Sequence, residues 1–399
     1  MLGGSDSAPL DSRILDGAAL YLNASTNLDW LIAQENGLPS QETLARLHQL
    51  QTRLGGVRKI VWVLGESSYQ TLEADIARIT PQISDETVRT VAVSLIGVRG
   101  KSQSLRNAAV RSLVGLNHKM RYVDPQEGGE LSTAQTYGNK LALATAREGI
   151  SQRARELAVL SDGQDGLLIG VVATVQDIAA YSQRDREMPA VDAYNGLLPV
   201  KLAQLMMNLA VEGFSPEDVL VVDPCCGNGR ILFEASHAGF AALGSDNAQL
   251  QVDYSQQNAQ WWAHRTEDEI TVELRDTTSS ETLAWAKAQA GEKQVVVCTE
   301  PWLGTPARQR FDKAQAEKWY AEVRDLYTKI VINWMTKDGA KQMLLVVPAP
   351  VLVDGGLYLE LVDQVLEEAK KLGLAAEEIG AYRRADTYIG RVLVQLKNA

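Results

Sequence analysis

From Leu197 onward the apolar positions switch regularly between two periods. Apolar residues recurring every three or four positions predict helices over 197–213, 231–239, 248–262, 281–290, 314–335 and 358–372. Between them lie short, nearly continuous apolar runs, VLVVD (219–223), AALGSD (241–246), ITVELRD (270–276), VVVC (295–298) and QMLLVVP (342–348). Runs of that kind are strands buried on both faces, which is the signature of a parallel sheet with helices on either side. EEIGAYR (377–383) and GRVLVQLK (390–397) end the chain as two strands with no helix between them, a closing hairpin.

The first 180 residues have a different rhythm. LYLNAS (20–25), KIVWVLG (59–65), TVAVSLIGV (90–98), KMRYVD (119–124) and GLLIGVVATVQD (166–177) read as strands. Helical patterns occupy 41–56, 102–116 and 133–142. This mixture predicts an α+β region rather than a second parallel sheet. Residues 181–196, YSQRDREMPAVDAYNG, are polar and break every period, so they are expected to be a linker. The predicted fold class is therefore α/β, with a Rossmann-like domain over 197–399 preceded by an α+β region.

Composition narrows the function classes. The 399 residues suffice for two or three domains, and 45% apolar with 22% charged residues are ordinary globular values. A net charge of −11 argues against charge-driven nucleic-acid binding over the whole surface. One stretch runs against it. Arg89, Arg99, Lys101, Arg106, Arg111, Lys119 and Arg121 lie between positions 89 and 121 with no acidic residue among them. Basic residues that neutralise phosphates release counterions, so this segment is a candidate RNA footprint; the alternative is a solvated face balanced by acids elsewhere. Cys225, Cys226 and Cys298 show no C-x-x-C spacing, and the four histidines form no H-x-x-x-H or Ser/His/Asp grouping. Neither a metal centre nor acyl transfer is expected. No apolar run reaches the roughly 18 residues of a membrane span, and MLGGSDSAPL lacks a signal pattern, so a cytoplasmic protein is expected.

The chemistry concentrates at strand ends. Asp223-Pro224-Cys225-Cys226-Gly227-Asn228-Gly229 closes an apolar strand with a glycine loop ahead of a helix. Glycines there let the backbone approach a ligand, and the helix start offers unpaired N–H groups to an anion. Asp246 ends the next strand, placed to take ribose hydroxyls, and Asp276 ends the one after, placed to receive an adenine amino group. The loop lacks the G-x-G-x-x-G of a dinucleotide-binding dehydrogenase. Thr299-Glu300-Pro301-Trp302-Leu303-Gly304 follows the fourth strand. There Glu300 and the Pro301 carbonyl could accept from an exocyclic amino group, and Trp302 could stack on an extruded base. The pair Trp261-Trp262 is expected to be packing and Asn258 a surface residue.

The two stretches look like motifs I and IV of S-adenosylmethionine-dependent amino-methyltransferases. More broadly, the chain resembles the THUMP-containing tRNA guanine-N2 methyltransferases. Tyr181-Ser182-x-Arg184-Asp185 and the segment Gly196 to Ala210 are similar to that family's approach to motif I. Leu54 to Ile60 looks like its ferredoxin-like domain, and VAVSLIG, Lys119-x-Arg121-Tyr122-Val123 and Leu131-Ser132-x-Ala134-Gln135 look like its THUMP region. The resemblance implies a ferredoxin-like domain over 1–88, a THUMP-like RNA-binding domain over 89–180, and a class I methyltransferase domain over 197–399. It implies S-adenosylmethionine as cofactor, with Asp223, Cys226, Gly227, Gly229, Asp246, Asn247, Asp276, Leu198 and Pro199 around it. It implies tRNA as partner, contacted by Arg99, Lys101, Arg106, Lys119 and Arg121, and the N2 of a guanine, the position-10 guanine being favoured by the family. Some relatives need a small activating protein. Two departures stand out: Arg230 replaces a usual Thr, and Glu300-Pro301-Trp302-Leu303 replaces an Asp, Asn or Ser followed by Pro-Pro and an aromatic. Motif IV recognises an amino group rather than a base, so N6-adenine or other amino-methylation of RNA or DNA stays open, as does a noncatalytic RNA-binding protein.

Overall fold

A computed structural model describes residues 11–15, 19–23, 37–83, 87–98, 102–114, 120–126, 129–145, 149–150, 153–161, 166–191, 198–266, 269–384 and 387–398. Two compact units result, Met1–Ser182 and Gln183–Ala399.

In the N-terminal unit β1 (Asp11–Leu15) and β2 (Ala19–Asn23) form a hairpin. A mixed seven-stranded sheet comprises β3 (Lys59–Ser68), β4 (Thr90–Ile96), β5 (Arg121–Val123), β6 (Ala144–Thr145), β7 (Gly149–Ile150), β8 (Ala154–Ser161) and β9 (Gly166–Val175). Its order is β5-β4-β8-β9-β6-β7, and β3 also pairs with β9. The helices are α1 (Gln41–Arg53), α2 (Leu72–Ile83), α3 (Ser102–Val114) and α4 (Thr133–Gly138), with α5 (Ile178–Arg186) following the sheet. Leu72, Ile76, Ile79 and Ile83 form the buried stripe of α2.

Two expectations change here. The expected boundary at 88/89 crosses a single sheet: β3 runs antiparallel to β9 from Lys59–Val175 to Ser68–Gly166. The expected linker begins as helix, since α5 extends to Arg186. Arg184 on it is only 5% exposed, because its Nε donates to the buried Glu234 at 2.8 Å. Residues 192–196 of that linker lie outside the described residues.

The C-terminal unit is a doubly wound sheet. In chain order it contains α6 (Val200–Ala210), β10 (Val219–Asp223), α7 (Arg230–His237), β11 (Ala241–Asp246), α8 (Gln249–Thr266), β12 (Thr271–Leu274) and α9 (Ser280–Ala290). Then come β13 (Gln294–Thr299), α10 (Lys313–Trp334), β14 (Gln342–Pro350), α11 (Glu360–Lys371), β15 (Ala375–Tyr382) and β16 (Ile389–Lys397). The strand order is β12-β11-β10-β13-β14-β16-β15, parallel from β12 to β14 and antiparallel for the closing hairpin. All five residues of β10 are buried because helices cover both faces. Trp319, Tyr327, Ile330, Leu361 and Val365 pack on one side, and Leu202, Met206, Leu232, Ala235 and Val252 on the other. The chain winds outward from β10 in one direction and from β13 in the other. Between those two strands lies the crevice where such sheets bind ligands.

Candidate functional site

A cavity of about 640 Å³ opens at the carboxyl ends of β10, β11 and β13, within the usual size range of small-molecule sites. Both sequence motifs line it: Asp223 to Asn228 and Asp246 with Asn247 on one part, and Glu300 to Gly304 with Arg391 on another.

Loop geometry explains the first motif. Gly229 adopts φ +92°, and a Cβ there would lie 2.7 Å from Ser255 Oγ and 2.9 Å from Phe233. Gly227 is also left-handed, at φ +53°. These two residues turn the chain from β10 directly into α7. The carboxylate of Asp246 accepts from the Gly227 N–H at 2.9 Å and the Ala248 N–H at 3.0 Å, which locks it to the loop. Asp223 is 2% exposed and accepts from Thr299 Oγ1 at 2.7 Å and the Cys225 N–H at 3.1 Å. Burial pushes its carboxyl up to about 7, against the opposing pull of those two hydrogen bonds. Burial also raises Asp246. The Asn228 side chain is 9% exposed, and its Nδ2 lacks a protein partner among the described residues.

The other expected cofactor contacts divide. Leu198 and Cys226 line the cavity. Pro199 caps α6 and is not among the lining residues, nor are Gly229, whose missing side chain faces Ser255 and Phe233, and Asp276. Asp276 is exposed and accepts from the Thr278 N–H and hydroxyl, both at 2.8 Å; its neighbour Thr277 lines the cavity instead. A strand end marks where the chain turns, and the turn here directs Asp276 back to its own loop.

At the second motif Glu300 is already engaged. Its Oε2 accepts from Arg391 Nε at 2.7 Å and its Oε1 from Arg391 Nη2 at 3.1 Å, a bidentate pair. Arg391 lies on β16, ninety-one residues away, so no spacing rule pointed to it. Pro301 is buried, whereas Trp302 is 52% exposed. Tyr327 anchors this loop by donating its hydroxyl to the Trp302 carbonyl at 3.2 Å. Gly304 is required as well: φ is +84°, and a Cβ would fall 2.3 Å from Trp319 Nε1.

Behind the first motif lies a buried ionic cluster. Arg230 is 3% exposed and donates to the Arg184 carbonyl at 2.5 Å, with Asp185 at 3.6 Å. Asn258, expected on the surface, is fully buried. Its side chain accepts from the Ala190 N–H and donates to the Ala190 and Asn228 carbonyls, supporting the glycine loop from behind. Trp262 packs on Phe233 as expected, with ring centroids 5.6 Å apart.

Of the expected RNA contacts, Arg99, Lys101 and Lys119 lie outside the described residues. Arg121 is exposed and donates to Asn139 Oδ1 at 2.9 Å. Arg106 donates to Gln103 and lies 4.0 Å from Asp124, while Arg111 lies 3.5 Å from Glu73. Part of the basic segment is therefore balanced by acids, the blander of the two readings. Among the described residues no helix is long and apolar enough to cross a membrane, and no group of side chains could hold a metal ion.

No family model matches the chain. It is similar to the tRNA (guanine(10)-N2)-dimethyltransferase of Methanothermobacter thermautotrophicus, 30% identical over 132 residues, which are 33% of this chain and 34% of the relative. The match thus spans about a third of that relative's length. Among solved structures it is similar to TrmN from Thermus thermophilus, with 14% identity, 92% of this chain and 88% of that one covered, and a TM-score of 0.51. It is also similar to the magnesium protoporphyrin IX methyltransferase of Synechocystis PCC 6803 with bound SAH, with 15% identity, 54% and 93% covered, and a TM-score of 0.35. The likeness to TrmN, together with the strand order, establishes a Rossmann-like α/β fold.

Proposed function

We propose that this chain is an S-adenosylmethionine-dependent tRNA methyltransferase that modifies the exocyclic N2 of a guanine, the position-10 guanine being the preferred candidate. The observation that carries this reading is the meeting of both motifs in one cavity at the switch point of the sheet. The name of the similar archaeal enzyme supports the base and its position.

The residues fit the cofactor. Left-handed Gly227 leaves room at the loop, Asn228 Nδ2 has no partner among the described residues, and Asp223 and Asp246 bring carboxylates to the same wall. Asp223 would accept from the ammonium of the methionine part, and Asp246 from the ribose hydroxyls. Bound there, S-adenosylmethionine supplies an electrophilic methyl group, so this chain has to contribute position above all. Glu300 and the Pro301 carbonyl would hold the two amino hydrogens of the base, leaving the nitrogen lone pair free. The exposed ring of Trp302 would stack on the base. In the N-terminal unit Arg121 and Arg106 remain the described candidates for phosphate contact.

Incubation with labelled cofactor and bulk tRNA, followed by nucleoside analysis, tests the reading. N2-methylguanosine is the expected product. Its absence alongside measurable cofactor binding would sink the proposal, and N6-methyladenosine in its place would move the substrate to adenine. The Glu300–Arg391 pair gives some weight to a noncatalytic RNA-binding protein. That alternative requires tRNA binding with no thermal shift from S-adenosylmethionine.

A further inference from the structure

Arg391 occupies the cavity wall next to Glu300, and the motif logic gives it no role. Its side chain is 13% exposed and that of Glu300 15%, so the pair is largely shielded from solvent but still borders the cavity. The contact uses one edge of the guanidinium, Nε with Nη2, against both carboxylate oxygens. A guanidinium carries five N–H donors. The edge formed by Nη1 and the second hydrogen of Nη2 is left over, and Nη1 has no hydrogen-bond partner among the described residues. On the carboxylate, each oxygen keeps one lone pair after accepting from the guanidinium. Oε1, bonded to Nη2, therefore offers an acceptor on the same side of the planar pair as the remaining donors.

We propose that Glu300 and Arg391 form a single acceptor–donor edge that reads an amino group together with an adjacent unprotonated ring nitrogen. This rests on the methyltransferase reading above and deepens it. The amino N–H donates to Glu300 Oε1 while an Arg391 Nη hydrogen donates to the ring nitrogen. In guanine this selects the N2–N3 side. Approach from the N1 side would set the N1–H against an arginine N–H, donor against donor. The longer Glu300 side chain then has a purpose: it meets a guanidinium on the far edge of the cavity, and the pair acts as a rigid unit. Arg391 is thus a specificity-determining residue that touches the base.

The test is a cycle between protein and substrate. Wild-type protein and R391M are each assayed on a full tRNA carrying guanosine, or 3-deazaguanosine, at the position that wild type methylates. S-adenosylhomocysteine affinity, measured by calorimetry, serves as the check on folding. We expect the 3-deaza substitution to lower wild-type kcat/KM at least about tenfold, the scale set when a buried donor is left unpaired. R391M should lose a similar factor on guanosine and be insensitive to the 3-deaza change, with cofactor affinity within twofold of wild type. An R391M enzyme that keeps wild-type kcat/KM, or that suffers the full 3-deaza penalty, overturns the inference while leaving the guanine-N2 reading standing. R391K, which keeps the charge but not the planar edge, should behave like R391M; full activity in it reduces Arg391 to a mere counter-charge and also overturns the inference. Failure of wild type to make N2-methylguanosine overturns the functional reading itself, and this inference with it.

Discussion

Thr299 donates its hydroxyl to Asp223 across the switch point at 2.7 Å, joining the end of β13 to the end of β10. The two motifs therefore share a hydrogen bond as well as a cavity. The bond stabilises ionised Asp223, yet burial outweighs it and holds the carboxyl near 7.

A pH dependence follows. If Asp223 pairs with the ammonium of the cofactor, only its ionised form binds well. S-adenosylhomocysteine affinity should then be flat above about pH 8 and fall up to about tenfold per unit below about 7. Asp223→Asn should bind more weakly and lose this slope. Stability has the opposite sign, since the folded value lies above the ordinary carboxyl value of 3.8. The folded protein holds the extra proton, so this group's contribution is present at low pH and is lost as pH rises through about 7. Relative to Asp223→Asn, the melting temperature of the ligand-free protein should fall from about pH 4 to about pH 7 and level off above it. Calorimetry and thermal melts across that range check both slopes.

The glycine loop gives a purely structural prediction. Gly229 and Gly239 both have φ near +90°, but a Cβ at Gly239 meets nothing within 4 Å, whereas one at Gly229 meets Ser255 at 2.7 Å. Gly239→Ala should cost only the left-handed backbone penalty, about 1–2 kcal/mol. Gly229→Ala adds the clash and should cost clearly more, by denaturant unfolding. Equal costs would mean that Ser255 and Phe233 move aside freely.

Glu234 is 2% exposed and its carboxylate is paired with Arg184 at 2.8 Å. Burial raises its carboxyl value despite that partner. Glu234→Ala leaves two buried guanidinium groups, Arg184 and Arg230, with one carboxylate fewer. A loss of about 3–5 kcal/mol is expected for breaking such a pair. The double variant Glu234→Ala/Arg184→Met should recover part of it in the same unfolding experiment.

The C-terminal fold was legible because its signals are local. Strands β10, β11, β13 and β14 are short apolar runs that are largely buried, while the edge strand β12 buries Val272 alone, and the glycines of the loop announce a turn that only they can make. The N-terminal unit was harder to read. Its strand β8 carries Arg155 and Glu156 directly after its first residue, a charged pair that looks exposed. Glu156 is in fact fully buried, accepting from Lys59 at 2.7 Å, from Ser94 at 2.6 Å and from Thr136 at 2.5 Å. The apolar stripe of α2 was obscured by Pro81 inside the helix. At the site, carboxylates at strand ends were readable, but their partners were not. Arg391 and Asn258 reach Glu300 and Asn228 from 91 and 30 residues away, and tertiary contacts of that kind leave no periodic trace.

Glu300 and Asp246 should separate when each is replaced. Asp246 faces the part of the cavity next to the glycine loop, so Asp246→Ala should weaken S-adenosylhomocysteine binding at least about tenfold, or about 1.4 kcal/mol. With saturating cofactor its turnover should largely return. Glu300 sits on the other part with Arg391, so Glu300→Gln should leave cofactor affinity unchanged and lower kcat instead. The amide keeps the size but exchanges a charged acceptor for a neutral one, roughly half as strong, and retains only one of the two acceptors that face Arg391. Glu300→Ala should cost more, at least about 2 kcal/mol of transition-state stabilisation, and it also strips Arg391 of its partner. For that reason the glutamine variant is the cleaner probe, and melting curves of both should accompany the kinetics. Full activity in Glu300→Ala would place the amino group elsewhere and remove Glu300 from the chemistry.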